Sequence, residues 1–159
     1  MKKTMVMILT CLMVLNLAAC GGSSEPAETT AAVSADLGAL YEACTAHMTA
    51  MMPVEGDMRL DFMGIAPEDC SQVYTAFAED GLLTDEIWLI EAASQEALDL
   101  LRTLAENRMK AKADETVSYS PEQYAVVEKG VILEQGLYLA LIVSPEAETI
   151  QAEVEAALS

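Results

Sequence analysis

Residues 87–98 read IWLIEAASQEAL, and residues 137–148 read LYLALIVSPEAE. The two stretches align at an offset of 50, with Trp88 over Tyr138, Leu89 over Leu139, Ser94 over Ser144, Glu96 over Glu146 and Ala97 over Ala147. Each is an apolar run, then a serine, then a helical pattern. Ile87–Ile90 and Leu137–Val143 are of strand length and nearly continuous in apolar residues, the pattern of central strands buried on both faces. A serine directly before a helical pattern reads as an N-cap. Ser144-Pro145-Glu146 adds a proline suited to the first helical position and an acid near the positive helix end. Ser120-Pro121-Glu122 opens a shorter helix in the same way.

Outward from these stretches, each strand is preceded by a second candidate strand across a glycine turn. Gln72–Ala78 leads to Glu79-Asp80-Gly81, and Val131–Leu133 leads to Glu134-Gln135-Gly136. The helices that follow carry apolar faces: Leu98, Leu101, Leu104, Ala105 and Met109 in one, Ala147, Ile150, Val154 and Leu158 in the other. Farther upstream, Leu37, Leu40, Tyr41, Cys44, Met48 and Met51 fall on one face of a helix that Asp36 caps and that Pro53 and Gly56 end. The expected fold is α+β over residues 36–159. It has an N-terminal helix plus two β-β-α units, forming a four-stranded, mostly antiparallel sheet with helices packed on it. Chance similarity stays open for the two units, since any capped helix after a strand shares these residues.

The N-terminus points to a compartment. Lys2 and Lys3 form a positive start, and Thr4–Leu15 (TMVMILTCLMVL) is uncharged and strongly apolar. The run is short and followed by small residues, which reads as a signal peptide over residues 1–19 rather than a spanning helix. Leu17-Ala18-Ala19-Cys20 resembles the lipobox of bacterial lipoproteins. That resemblance implies lipidation of the Cys20 thiol and cleavage before it. The residues agree: small side chains let an extended backbone enter a peptidase site, and sulfur is the good nucleophile there. Two acyl chains at about 0.8 kcal/mol per buried CH₂ anchor firmly. An ordinary secretory leader with a chance cysteine is the competing reading. From Cys20 to residue 35 the chain is small, polar and without periodicity, a flexible tether with a reach of roughly 20 Å. The domain is thus expected at the extracytoplasmic face of the cell membrane, held by an N-terminal lipid.

Formal net charge is −18, and two of the eight basic residues lie in the leader, leaving six against 26 acids beyond it. Such a surface repels nucleic-acid phosphates and anionic lipid, so nucleic acid is not an expected partner. The block from Met63-Gly64-Ile65-Ala66-Pro67-Glu68-Asp69 through Pro121-Glu122-Gln123-Tyr124 and Gly136-Leu137-Tyr138 to the terminal helix is similar to a known family. It resembles uncharacterised lipoproteins of Gram-positive bacteria that carry domain of unknown function 4358. The resemblance implies a small α+β extracytoplasmic lipoprotein and brings no established activity.

Catalytic constellations are thin. His47 is the one histidine and stands near Cys44 on the expected helix, a spacing that seldom gives nucleophile and base an orienting acid. The carboxylate pairs Glu68-Asp69, Glu79-Asp80, Asp85-Glu86 and Asp114-Glu115 read as solvated loop acids, and an aromatic content of 5% argues against a sugar-binding cleft. His47, Met48, Met51, Met52 and Met58 gather soft ligands of the kind that select Cu(I), yet methionines at helical spacing more often fill a core. Cys44 and Cys70 can close a disulfide; the apolar position of Cys44 favours two free thiols. No cofactor and no metal site is expected. The function read from the sequence is non-catalytic binding of an envelope protein or ligand. The alternative is a copper carrier or a small envelope enzyme using the His47/Met region or an acidic cleft.

Overall fold

A computed structural model describes residues 35–159 of the chain. The expected leader, Cys20 and all but the last residue of the tether lie outside the described residues. The elements are α1 (Leu37–Thr45), β1 (Met51–Pro53), α2 (Asp57–Met63), β2 (Cys70–Ala78), β3 (Glu86–Ala92), α3 (Gln95–Thr116), α4 (Pro121–Glu128), β4 (Val131–Gln135), β5 (Tyr138–Val143) and α5 (Ala147–Leu158). The strands form one sheet in the order β1-β2-β3-β5-β4, with every neighbouring pair antiparallel. The fold class is α+β, and the sheet has five strands rather than four.

The fifth strand is β1, where the sequence read the end of a helix. α1 stops at Thr45, whose hydroxyl donates back to the carbonyls of Tyr41 (2.8 Å) and Glu42 (3.3 Å). A threonine that bonds its own helix backbone in this way weakens continuation. Met51 and Met52 then pair with Ala78 and Phe77, and Pro53 closes the strand on the sheet edge, where its missing N–H costs no ladder bond. α2 was also hidden in the sequence; it ends on Gly64 at φ 74°, a left-handed cap that favours glycine.

The sheet separates two apolar cores. On one face Ile87, Leu89, Ala140 and Ile142 pack against Leu37, Leu40 and Cys44 of α1 and Ile150 and Val154 of α5. On the other face Trp88, Ile90, Leu139 and Leu141 pack against Leu98, Leu101 and Ala105 of α3 and Val127 of α4. β3 and β5 are therefore buried on both sides, as their unbroken apolar runs require. The tight β4–β5 turn places Gly136 at φ 60°.

The two repeated stretches take up the expected strand-then-helix order, and Ser94 caps α3 by accepting from the Ala97 N–H at 3.1 Å. Ser120 caps α4 likewise, accepting from the Gln123 N–H at 3.3 Å. Ser144 does not cap α5 directly. Its hydroxyl accepts from the Glu146 N–H at 3.1 Å within a turn, and the helix begins at Ala147. The symmetry stops there. A two-fold axis through the sheet that exchanged the hairpins would leave α3 and α5 on the same face, whereas they cover opposite faces. The similarity reflects shared local chemistry, not a symmetric duplication.

Cys44 and Cys70 are free thiols. The sheet lies between them: Cys44 belongs to the α1–α5 core and Cys70 packs against the α3 core, so their side chains point apart and no bridge can form. Burial pushes the Cys44 thiol up to about 12 and the Cys70 thiol up to about 11. At neutral pH the thiolate fraction of Cys44 is about one part in 10⁵. Alkylation of the native domain at pH 7 should accordingly be slow at Cys44 and complete only on unfolding, read by mass spectrometry. Rapid labelling of native Cys44 would contradict this placement.

Candidate functional site

α3 carries its apolar stripe through Leu98, Leu101 and Ala105, and the next positions on that stripe are Arg108 and Lys112. Helical spacing thus brings two cations onto the core-facing side. Beneath them β3 turns Glu86 and Trp88 to the same face. Glu86 is fully buried. Its carboxylate accepts from Arg108 Nε at 3.0 Å to each oxygen, from Arg108 Nη2 at 2.8 Å and from Lys112 Nζ at 2.8 Å. The Trp88 indole N–H donates to the same carboxylate at 2.8 Å. Lys112 also donates to the Thr84 carbonyl at 3.0 Å, and Thr84 donates through its N–H and its hydroxyl to Gln123 Oε1, both at 2.9 Å. Gln123 of the Pro-Glu-Gln-Tyr motif thereby pins the β2–β3 loop to α4.

Burial alone would raise the Glu86 pKa; the Arg108 hydrogen bonds and the nearby Lys112 charge overcome it and hold the group below its usual 4.5. Asp85, its chain neighbour, points the other way and behaves oppositely. Burial raises its pKa above the usual 3.8, against hydrogen bonds from its own backbone, Ser144 and Thr49. A depressed carboxylate contributes stability that is present above its unfolded pKa and lost as pH falls through the folded one. The Glu86 contribution is therefore complete above about pH 4.5 and decays below it. Asp85 has the opposite sign, its contribution being lost as pH rises through its elevated value. Urea midpoints measured against pH should fall below pH 4.5 in the wild type, and Glu86→Gln should flatten that acid limb. An unchanged limb in the variant would assign acid sensitivity elsewhere.

Above this charged floor lies a cleft of about 290 Å³, lined among others by Phe62, Phe77, Arg108, Lys112, Glu115 and Tyr119. Arg108 is 30% exposed and Lys112 9%. The mouth is apolar and open to solvent: Phe62 is 64% exposed and Tyr119 60%. Leu82, beside the lining residues Gly81 and Leu83, is 73% exposed. Large apolar groups held in water around a concave site mark a binding surface. A second cleft, about 450 Å³, lies between α1 and the β1 edge, with the Tyr41 and Tyr74 rings 5.6 Å apart. Its one cation, Arg59, spends its Nε on the Val54 carbonyl at 2.9 Å. The first cleft combines concavity, a paired-cation floor and two widely exposed aromatics; in the second the exposed aromatic is Tyr74, at 36%.

The residues singled out from the sequence fall elsewhere. His47 Nε2 meets Glu153 Oε1 of α5 at 2.9 Å. Met48 and Met51 pack against the α1–α5 core. Met52, next to Met51 in an extended strand, points to the opposite side, and Met58 stands on α2, so the sulfurs do not gather at one point. Among the described residues no three His, Cys, Asp or Glu side chains are placed to hold a metal ion. Glu79-Asp80 and Asp114-Glu115 are exposed. Asp85-Glu86, read as solvated, is buried on both positions because each acid finds partners on its own face of the sheet. Among the described residues no helix is long and apolar enough to cross a membrane.

Comparison with curated proteins and with solved structures finds no match. One family does match: the domain of unknown function DUF4358 aligns with residues 45–144, which hold all five strands, α2, α3 and α4. The aligned region includes Phe62, Glu86, Arg108, Lys112 and Tyr119, and with it the whole of the cleft. That span is more than half of the chain, and the chain belongs to the DUF4358 family.

Proposed function

We propose that this chain is a lipid-anchored lipoprotein of the extracytoplasmic membrane face, of Gram-positive type, whose domain binds a partner or ligand without catalysing a reaction. The anchor rests on the Leu-Ala-Ala-Cys20 pattern behind an apolar leader and on the polar tether after it. The observation that carries the binding role is the exposure of Phe62 and Tyr119 at the mouth of the Arg108–Lys112 cleft. Two aromatic side chains in water around a concave, charge-floored site give apolar contact and orientation together. For catalysis the same floor is poorly suited, since Glu86 is tied by three donor groups and holds no free proton-transfer position.

Two measurements test this reading. Palmitate labelling should be present in wild-type cells and absent in Cys20→Ala; equal labelling refutes the anchor. Chemical crosslinking on intact cells should yield adducts that a Phe62→Ser/Tyr119→Ser double variant loses at equal protein level. Both positions are exposed, so the fold should tolerate the change within about 0.5 kcal/mol each. Adducts of unchanged pattern and yield would remove the cleft from the binding role.

A further inference from the structure

The cleft has chemistry that narrows its occupant, provided that it is a binding site as read above. Arg108 engages Glu86 through Nε and Nη2. Among the described residues no hydrogen bond reaches its Nη1, and the side chain lines the cleft at 30% exposure. Lys112 lies beside it, so two cations share one buried anion, and among the described residues neither makes an ion pair with the exposed Glu115 that lines the same cleft within electrostatic range of Arg108. A guanidinium already fixed on one side by a buried carboxylate is pre-organised, and its remaining N–H groups suit a second carboxylate. Around this floor the walls are apolar, with Phe77, Leu83 and Phe62 among them. Glu79 and Glu115 also line the cleft while being exposed to solvent.

The geometry points to a site for the C-terminal residue of a peptide chain, an apolar residue whose free carboxylate meets Arg108. A volume of about 290 Å³ is at the small end of ligand pockets and holds one or two residues. The apolar rim continues beyond what one residue covers, through Phe62, Tyr119 and Leu82. The preceding residues of a chain would lie across that rim, and basic ones among them would meet Glu79 and Glu115. A free amino acid would leave the rim uncovered.

Calorimetry of the purified protein with three probes tests the inference: acetyl-Lys-Ala-Phe with a free carboxylate, the same peptide amidated, and free phenylalanine. The acid peptide should bind saturably. Amidation should weaken binding at least about tenfold, the cost of one lost charge-assisted bond, and free phenylalanine should bind more weakly than the peptide. Trp88, the sole tryptophan, touches Glu86 and should report the binding in its fluorescence. Arg108→Lys keeps the charge beside Glu86 but removes the second donor, and should weaken the acid peptide about tenfold while leaving the amide unchanged. Phe62→Ala, at an exposed site, should weaken it severalfold in a fold left intact. Equal affinity for acid and amide, equal affinity for free phenylalanine, or no saturation by any probe into the millimolar range overturns the inference. If such a result came with cell crosslinking that still depends on Phe62 and Tyr119, the carboxylate inference alone would fall; loss of both would remove the binding reading too.

Discussion

Glu86→Ala should lower the unfolding free energy by about 3–5 kcal/mol, measured by urea denaturation followed through Trp88 fluorescence. The variant leaves Lys112, 9% exposed, and the buried part of Arg108 without the anion that compensates their desolvation. It also removes the acceptor of the Trp88 indole N–H. For a domain whose total stability is on the order of 5–15 kcal/mol, such a loss brings it near the folding threshold. The effect should belong to the unpaired charges and not to the missing side chain. A triple variant, Glu86→Leu with Arg108→Met and Lys112→Met, should recover most of the loss, because a well-packed apolar replacement of a buried ion cluster is often neutral or stabilising. If the triple variant is no more stable than Glu86→Ala, the loss lies in packing.

The second large effect falls on Trp88. It is fully buried on β3 under α3, and it opposes Thr75 on one side and Leu141 on the other. Trp88→Ala should cost about 3–5 kcal/mol, followed by circular dichroism since the sole tryptophan is gone. Trp88→Phe keeps most of the volume but leaves Glu86 one donor short, and about 1–3 kcal/mol is expected. The Glu86→Ala and Trp88→Phe losses should not add, because both remove the same hydrogen bond. Strict additivity in a double-mutant cycle would show that the indole N–H bond contributes nothing.

The sequence made some of this legible and hid the rest for physical reasons. β3 and β5 could be read because a strand buried on both faces needs an unbroken apolar run. α3 and α4 could be placed because Ser94 and Ser120 have to satisfy orphan N–H groups at the helix starts. β1 could not, since Met48 and Met51 sit at helical spacing and three residues of edge strand carry no period of their own. Asp85 and Glu86 looked like ordinary loop acids because the burial of Glu86 depends on cations more than twenty residues downstream. A signal was nonetheless present. Arg108 and Lys112 continue the stripe of Leu101 and Ala105, and cations on a core-facing stripe demand a buried anion. The aromatic rim had no such signal, since exposure of Phe62 and Tyr119 follows from the packing of α2 and the end of α3, not from either residue type.

On the proposed reading, the domain meets its partner through the cleft over Arg108 and Lys112. Hydroxyl-radical footprinting of the protein on intact cells, compared with the purified protein, tests it directly. Labelling of Phe62 and Tyr119 should fall on cells, while Tyr74, exposed in the other cleft, stays unchanged. Equal labelling of Phe62 and Tyr119 in both samples, or protection of Tyr74 in their place, would contradict binding through this cleft.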